Sequence, residues 1–103
     1  MREILIRPRA QLDIESIYIY LAFERSAPKA ALDVVEALYS AFERIADLPE
    51  SGRLFESDDL ERVYRRVLAK DYWIYYTFDE ESLTVWRIFH VRQDTDNYAI
   101  VDF

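Results

Sequence analysis

The chain has 103 residues, of which 51% are apolar and one is glycine, so disordered and fibrous classes are excluded. This length suits one domain with a real core, and we expect residues 1–103 to form it. The net charge is −7, from 13 basic and 20 acidic residues spread over both halves, which argues against a protein that holds nucleic acid by a broad basic face.

Composition also narrows the location and the chemistry. No apolar run is long enough to cross a bilayer, and residues 1–6 carry charges without a small-residue cleavage site, so we expect a cytoplasmic protein with no membrane partner. The chain has no cysteine and a single histidine, His90. These counts exclude disulfides and thiolate ligands and argue against a metal site. We therefore expect no metal and no cofactor.

The first predicted elements are a strand and a helix. Residues 2–7 alternate loosely and predict a strand that ends at Pro8, where the period becomes helical. Proline fits the first helical turn because an N–H group there has no intrahelical partner. The helix carries an apolar stripe at Ala10, Ile14, Ile17 and Leu21, with Tyr18, Tyr20 and Phe23 beside it. A helix that is apolar around more than half its girth suits packing on both a sheet and another helix.

A second, longer helix follows after a few residues. Ser26 is the predicted N-cap and Pro28 lies in the first turn. The apolar stripe of this helix consists of Ala31, Val34, Val35, Leu38, Phe42 and Ile45. It ends at Leu48 and Pro49. The short connection predicts an antiparallel helical hairpin that lies on the sheet.

The second half of the chain predicts strands. Residues 49–53 form a turn that contains the only glycine, and residues 54–61 predict a loop or a short helical piece. Residues 63–69, 72–78 and 83–91 are rich in β-branched and aromatic side chains and predict an antiparallel meander, with a polar turn at residues 79–82. The tail, residues 95–103, predicts a helical turn or an extended piece. The fold class is α+β in the order β-α-α-β-β-β, with the helical hairpin packed on a small, mostly antiparallel sheet.

The middle strand of the meander has two apolar faces. By alternation, Tyr72, Ile74, Tyr76 and Phe78 lie on one face, and Trp73, Tyr75 and Thr77 lie on the other. The helical hairpin can cover only one of them. The remaining aromatic face predicts a partner-binding surface, or a surface on which nucleic-acid bases stack.

Four motifs, in this order, resemble the RelE/ParE superfamily of bacterial type II toxins, which act in toxin–antitoxin pairs. They are Ala10-x-x-Asp13-Ile14 with Ile17 and Tyr20; Leu48-Pro49-x-x-Gly52-Arg53; Arg65-Arg66 before the aromatic run at residues 72–76; and the strand end from Arg87 to Asp94. The likeness covers nearly the whole chain, and the second motif is similar to the ParE-like branch. The chain departs from the pattern at Val91 and Gln93, where glycine and arginine are common, and in its acidic charge.

The resemblance implies a ParE-like toxin that inhibits DNA gyrase without catalysis and forms a hetero-oligomer with a cognate antitoxin. The alternative is a RelE-like, metal-independent endonuclease that cleaves mRNA on the ribosome. A third reading is a degenerate member that only binds its antitoxin. For the endonuclease, the implied charge stabilisers and proton carriers are Arg65, Arg66, His90, Arg92 and Tyr98.

Two features weigh against assigning these groups to one site. Arg65 and Arg66 are adjacent on a strand, so their side chains leave opposite faces. His90 can also serve as a strand-end residue that bonds to backbone or to Asp94, and we favour that role. The residues predicted to contact the antitoxin are Trp73, Tyr75 and Trp86 on the sheet and Tyr18 on the first helix.

Overall fold

A computed structural model describes residues 1–56 and 62–93. The helices are α1 (Pro8–Ile19), continued by a π-helical segment (Tyr20–Glu24), and α2 (Pro28–Asp47), followed by a single 3₁₀ turn (Pro49–Ser51). The strands are β1 (Glu3–Ile6), β2 (Arg53–Phe55), β3 (Tyr64–Ala69), β4 (Tyr72–Phe78) and β5 (Ser82–His90). In the part of the chain thus described, no helix has the length and hydropathy to span a membrane.

The five strands form one sheet in the order β1-β5-β4-β3-β2. β1 pairs with β5 in parallel and every other pair is antiparallel. The α+β class, the meander and the helical hairpin on the sheet are confirmed. Asp79 shapes the turn between β4 and β5, because its Oδ1 accepts the N–H groups of Glu81 and Ser82, each at 2.8 Å.

The core lies between the helical hairpin and one face of the sheet. The predicted stripes of both helices meet alternate residues of the strands there, and the buried members include Ala10, Ile14, Leu38, Phe42, Ile45, Tyr72, Ile74, Tyr76, Leu83 and Val85. Each large aliphatic or aromatic side chain that leaves water in this way stabilises the fold by about 1.5–3 kcal/mol before entropy is counted. The alternation predicted for β4 is confirmed.

Two predictions about local structure are wrong. Residues 53–55, predicted as turn and loop, form β2 and pair with β3, because Phe55 buries its ring against Tyr75 at a centroid distance of 5.1 Å. Ser26 does not cap α2, since the N-cap is Ala27 and makes no side-chain hydrogen bond. Ser26 instead follows the end of the first helix with φ of 50°, the left-handed conformation that commonly terminates helices. Residues 57–61 and the tail, 94–103, lie outside the described residues.

Candidate functional site

The sheet face opposite the helices, called here the outer face, carries its own aromatic cluster. Phe55, Tyr64, Tyr75 and Phe89 are its buried members, and Trp73 and Trp86 are half-buried against them. Edge-to-face contacts join these rings, for example Tyr75 and Phe89 with centroids 5.6 Å apart. The cluster gives the outer face an apolar floor that is built from strand residues alone.

Arginine side chains lie on this aromatic floor. The guanidinium of Arg66 lies 4.3 Å from the Trp73 ring centroid and 5.4 Å from that of Phe55, and its Nη1 donates to the Tyr75 hydroxyl at 3.1 Å. Its Nε is buried and has no hydrogen-bond partner within the described ranges. Ring faces can hold such a cation electrostatically, at about 0.5–2 kcal/mol per contact depending on desolvation.

Trp86 has two arginines over its ring. Arg62 lies 4.6 Å and Arg7 lies 5.1 Å from the ring centroid, while the indole Nε1 donates to Thr77 Oγ1 at 2.9 Å. Strand pairing also places Arg53 opposite Arg66 on the same face. A chain with a net charge of −7 therefore carries a local basic patch, formed by Arg7, Arg53, Arg62 and Arg66. Sequence reasoning missed it because these arginines come from three separate segments.

The four residues predicted to contact the antitoxin do not form one surface. Tyr75 is fully buried, so its prediction as an accessible contact is wrong: the ring packs between Phe55 and Phe89, and Arg66 lies above it. Trp73 and Trp86 are half-buried on the outer face. Tyr18 lies on the other side of the sheet, in a groove between α1 and α2. The contact role of Trp73, Trp86 and Tyr18 stays a prediction.

The helical hairpin exposes apolar side chains as well. The groove has a volume of about 360 Å³ and is lined by Ile14, Glu15, Tyr18, Ile19 and Val35. Large apolar residues that are exposed on the two helices and the π-helical segment are Leu12, Ile19, Tyr20, Phe23, Leu32 and Tyr39. Exposed apolar area of this kind, rimmed by polar residues, is typical of a protein-binding surface.

Three of the endonuclease candidates, Arg65, Arg66 and His90, are not brought together. Arg65 turns away from Arg66 and donates from Nη1 to the carbonyl oxygens of Gly52 at 2.9 Å and Glu50 at 3.2 Å. Arg66 pairs across the sheet with Tyr75, whereas His90 pairs with Tyr72, so three residues, about 10 Å, separate them along the strands. His90 also lies on the opposite face from Arg66.

His90 has the backbone role that we favoured. Its Nδ1 accepts the N–H of Arg92 at 3.1 Å, and its own N–H donates to Gln93 Oε1 at 2.7 Å. Its ring stands perpendicular to Tyr72 with centroids 5.2 Å apart. Tyr98 and Asp94 lie outside the described residues. Within residues 1–56 and 62–93, no group of three or more His, Cys, Asp or Glu side chains could hold a metal ion.

Gly52 and Tyr76 account for the Leu48-Pro49-x-x-Gly52-Arg53 motif. The buried Tyr76 hydroxyl donates to the Pro49 carbonyl at 2.6 Å and accepts the Gly52 N–H at 3.0 Å. Burial raises the pKa of Tyr76 above its ordinary value, and the Gly52 hydrogen bond and the Arg65 charge oppose that rise. A Cβ on Gly52 would meet this hydroxyl and lie 2.9 Å from the Arg66 carbonyl oxygen. Glycine is required here for space, since its φ of −77° suits any residue.

Comparison with known proteins agrees with this architecture. A sequence model of the family described as "ParE toxin of type II toxin-antitoxin system, parDE" matches residues 4–95. A chain of the solved structure "Chromosomal ParDE TA system from P. aeruginosa" has a similar fold, with a TM-score of 0.67 and 16% identity over 87% of this chain and 96% of that chain. No curated protein matches. Because the family match spans nearly the whole chain, the protein belongs to the ParE toxin family of type II toxin–antitoxin systems.

Proposed function

We propose that this ParE family member is a toxin that inhibits DNA gyrase in the cytoplasm and is held inactive by a cognate antitoxin. The observation that carries the proposal is the family match over residues 4–95. The separation of Arg65, Arg66 and His90 favours an inhibitor that acts by binding over an endonuclease. Positioned acid–base and charge-stabilising groups must converge on one reacting phosphate, whereas these three lie on two faces of the sheet, and Arg66 and His90 are three residues apart along the strands.

The basic patch on the outer face is the surface we assign to the target. Arginines on aromatic rings suit phosphate and carboxylate groups, because a guanidinium offers several donors in one plane and is weakly hydrated. Gyrase engaged with DNA presents both kinds of anion. Because the rest of the chain is acidic and repels an anionic target, the patch also favours the orientation in which the outer face approaches that target.

The antitoxin is assigned to two surfaces. The groove at Tyr18 is apolar and lies between two helices, which suits the apolar face of an amphipathic helix. Trp73 and Trp86 lie across the sheet, so an antitoxin that contacts all three residues must wrap around the sheet edge in an extended form, as segments that order on binding do. A segment over the outer face would cover Arg62 and Arg66 and so block the target surface.

The experiment incubates the purified chain with gyrase, ATP and supercoiled plasmid and follows linear, protein-linked DNA. We expect cleaved DNA to accumulate with the wild type. An Arg7→Ala/Arg62→Ala double variant, which leaves the buried cluster intact, should lower it about tenfold, as expected for the loss of two charged contacts worth about 0.7 kcal/mol each. Arg44→Ala, an exposed arginine of α2, is the matched control and should act like the wild type.

A folded chain that neither traps cleaved DNA nor slows supercoiling would refute gyrase as the target. An assay of mRNA cleavage on ribosomes then tests the endonuclease alternative. Cleavage of mRNA by the wild type and its loss in Arg92→Ala would assign the chain to a RelE-like endonuclease. Antitoxin binding without either activity would indicate a degenerate family member that only binds its antitoxin.

A further inference from the structure

A second recess, called here the tip cleft, lies where the π-helical segment approaches the start of β4 and the end of β5. Its volume is about 900 Å³, at the upper end of the range found for small-ligand pockets. α1, the π-helical segment and α2 form one wall, and the turn between β3 and β4 and the end of β5 form the other. It lies on the helix side of the sheet, away from the basic patch.

Unusual backbone is concentrated around the tip cleft. The π-helical segment contributes Tyr20 and Leu21, and the N–H of Arg25 reaches back five residues to the Tyr20 carbonyl at 2.9 Å. The described non-glycine residues with positive φ are Ser26, next to Arg25, and Lys70, at 50° and 53°. π-Helical turns and left-handed residues cost energy and recur at functional sites. The π-helical segment and Lys70 line the recess, and Ser26 adjoins Arg25 of its wall, so the backbone around the recess departs from regular helix and strand.

The tip cleft carries charged side chains of both signs. Arg25, Lys70 and Arg92 line it together with Asp33 and Asp71. Within the described ranges, none of the three cations makes a side-chain hydrogen bond or an ion pair. The lining therefore has a formal charge of +1 in a chain whose total is −7. The described cations and carboxylates of the recess form no ion pair with one another, so both can contact a ligand.

We infer that the tip cleft binds a nucleoside phosphate, with the phosphates on Arg25, Lys70 and Arg92 and the base against the Tyr20 ring. The three cations suit a phosphate chain, but a bare phosphate has no use for Asp33 and Asp71. A ribose or an amino group of a base donates hydrogen bonds, and a carboxylate accepts them. Tyr20 is 46% exposed and offers a flat ring at the mouth, on which a base can stack.

His90 completes the phosphate end. Because Nδ1 accepts the Arg92 N–H, the proton of the neutral ring lies on Nε2, which can donate to a phosphate oxygen. The same hydrogen bond ties the backbone of Arg92 to the end of β5. The inference is independent of the proposed gyrase inhibition and of the outer face.

The test titrates the full chain with a fluorescent ATP analogue and follows ligand anisotropy, with unlabelled ATP and inorganic phosphate as competitors. We expect binding with a Kd of about 100 µM. Arg25→Ala and Arg92→Ala should each raise the Kd about tenfold, and Tyr20→Ala about fivefold, while Arg53→Ala, an arginine of the basic patch, should leave it unchanged. Circular dichroism establishes that each variant is folded.

Two results would overturn the inference. One is no binding to the folded wild type at about 5 mM nucleotide. The other is binding that Arg53→Ala weakens as much as Arg25→Ala does, which would place the ligand elsewhere. If inorganic phosphate displaces the fluorescent analogue at the same concentration as ATP does, the base and ribose contribute nothing to affinity. That result would overturn the assignment of a nucleoside to the tip cleft.

Discussion

Asp13 and Arg87, 74 residues apart, form a two-point ion pair that closes the open edge of the sheet. Asp13 Oδ2 accepts from Arg87 Nε at 2.8 Å, and Oδ1 accepts from Nη2 at 3.0 Å. The same Oδ2 accepts the backbone N–H of Ile88 at 2.8 Å. Within residues 1–56 and 62–93, the pairing of β1 with β5 ends at Val85, so β1 does not reach the N–H of Ile88. The Asp13 carboxylate therefore accepts a backbone hydrogen bond that a carbonyl of a neighbouring strand would otherwise accept.

We expect Asp13→Ala to destabilise the fold by about 3 kcal/mol, because it removes the carboxylate that binds the Arg87 charge and accepts the Ile88 N–H in a mostly buried place. The side chains of Arg87 and Asp13 are 9% and 15% exposed, respectively. Chemical denaturation of the purified chain measures the loss. Glu15→Ala, an exposed carboxylate on the same helix, is the control and should change stability by less than about 0.5 kcal/mol. Equal losses in both variants would show that the ion pair has no special role.

Gly52 and Tyr76 should be energetically coupled. Tyr76→Phe leaves the Pro49 carbonyl and the Gly52 N–H without their partner and should cost about 2 kcal/mol. Gly52→Ala should cost about 2–3 kcal/mol, because the added Cβ meets the Tyr76 hydroxyl and the Arg66 carbonyl oxygen.

In the double variant the hydroxyl is absent but the Arg66 carbonyl remains. The combined loss should therefore fall short of the sum by about 1 kcal/mol. Denaturant melts of the four proteins give this coupling energy. Additive losses would mean that the hydroxyl does not restrict residue 52.

These residues show which parts of the fold and the site could be predicted. The helical stripes and the two faces of β4 were predicted because periodicity records directly which side of an element is buried. The Asp13–Arg87 pair was not, since nothing in local spacing links residues so far apart. β2 has only three residues, too few for a pattern. The arginine–aromatic stacking depends on strand register, including the irregularity between Tyr75 and Tyr76, which sequence does not display.

Alkaline pH should destabilise the chain through Tyr76. Its pKa is raised by burial in the folded state, so the folded protein keeps a proton that the unfolded chain releases near pH 10. This contribution to stability is complete below the unfolded pKa and is lost as pH rises through the folded pKa, with a slope of at most about 1.4 kcal/mol per pH unit. Burial, followed by the Asp71 and Tyr20 charges, raises the pKa of Tyr72 in the same direction.

The free energy of unfolding, measured from about pH 8 to pH 11, tests this assignment. Tyr76→Phe should reduce the slope with which the free energy of unfolding falls at alkaline pH. The part of the slope that comes from Tyr72 should remain. Ile45→Val, which removes a buried methyl group at a cost of about 1 kcal/mol, is the control and should lower stability equally at every pH. An unchanged slope in Tyr76→Phe would remove this tyrosine as the titrating group.

Tryptophan emission should report the antitoxin segment on the outer face. Trp73 and Trp86 are half-buried under arginines, so a segment that covers them removes water from both indoles and shifts their emission to shorter wavelength. Trp73→Phe and Trp86→Phe assign the shift to one ring. Tyr18→Ala, in the groove, should weaken the complex about tenfold without altering the shift at saturation, and Arg44→Ala, an exposed residue of α2 that does not line the groove, serves as its control. An unchanged spectrum on a complex verified by size exclusion would place the antitoxin on the helical hairpin alone and leave the arginines of the outer face accessible to the target.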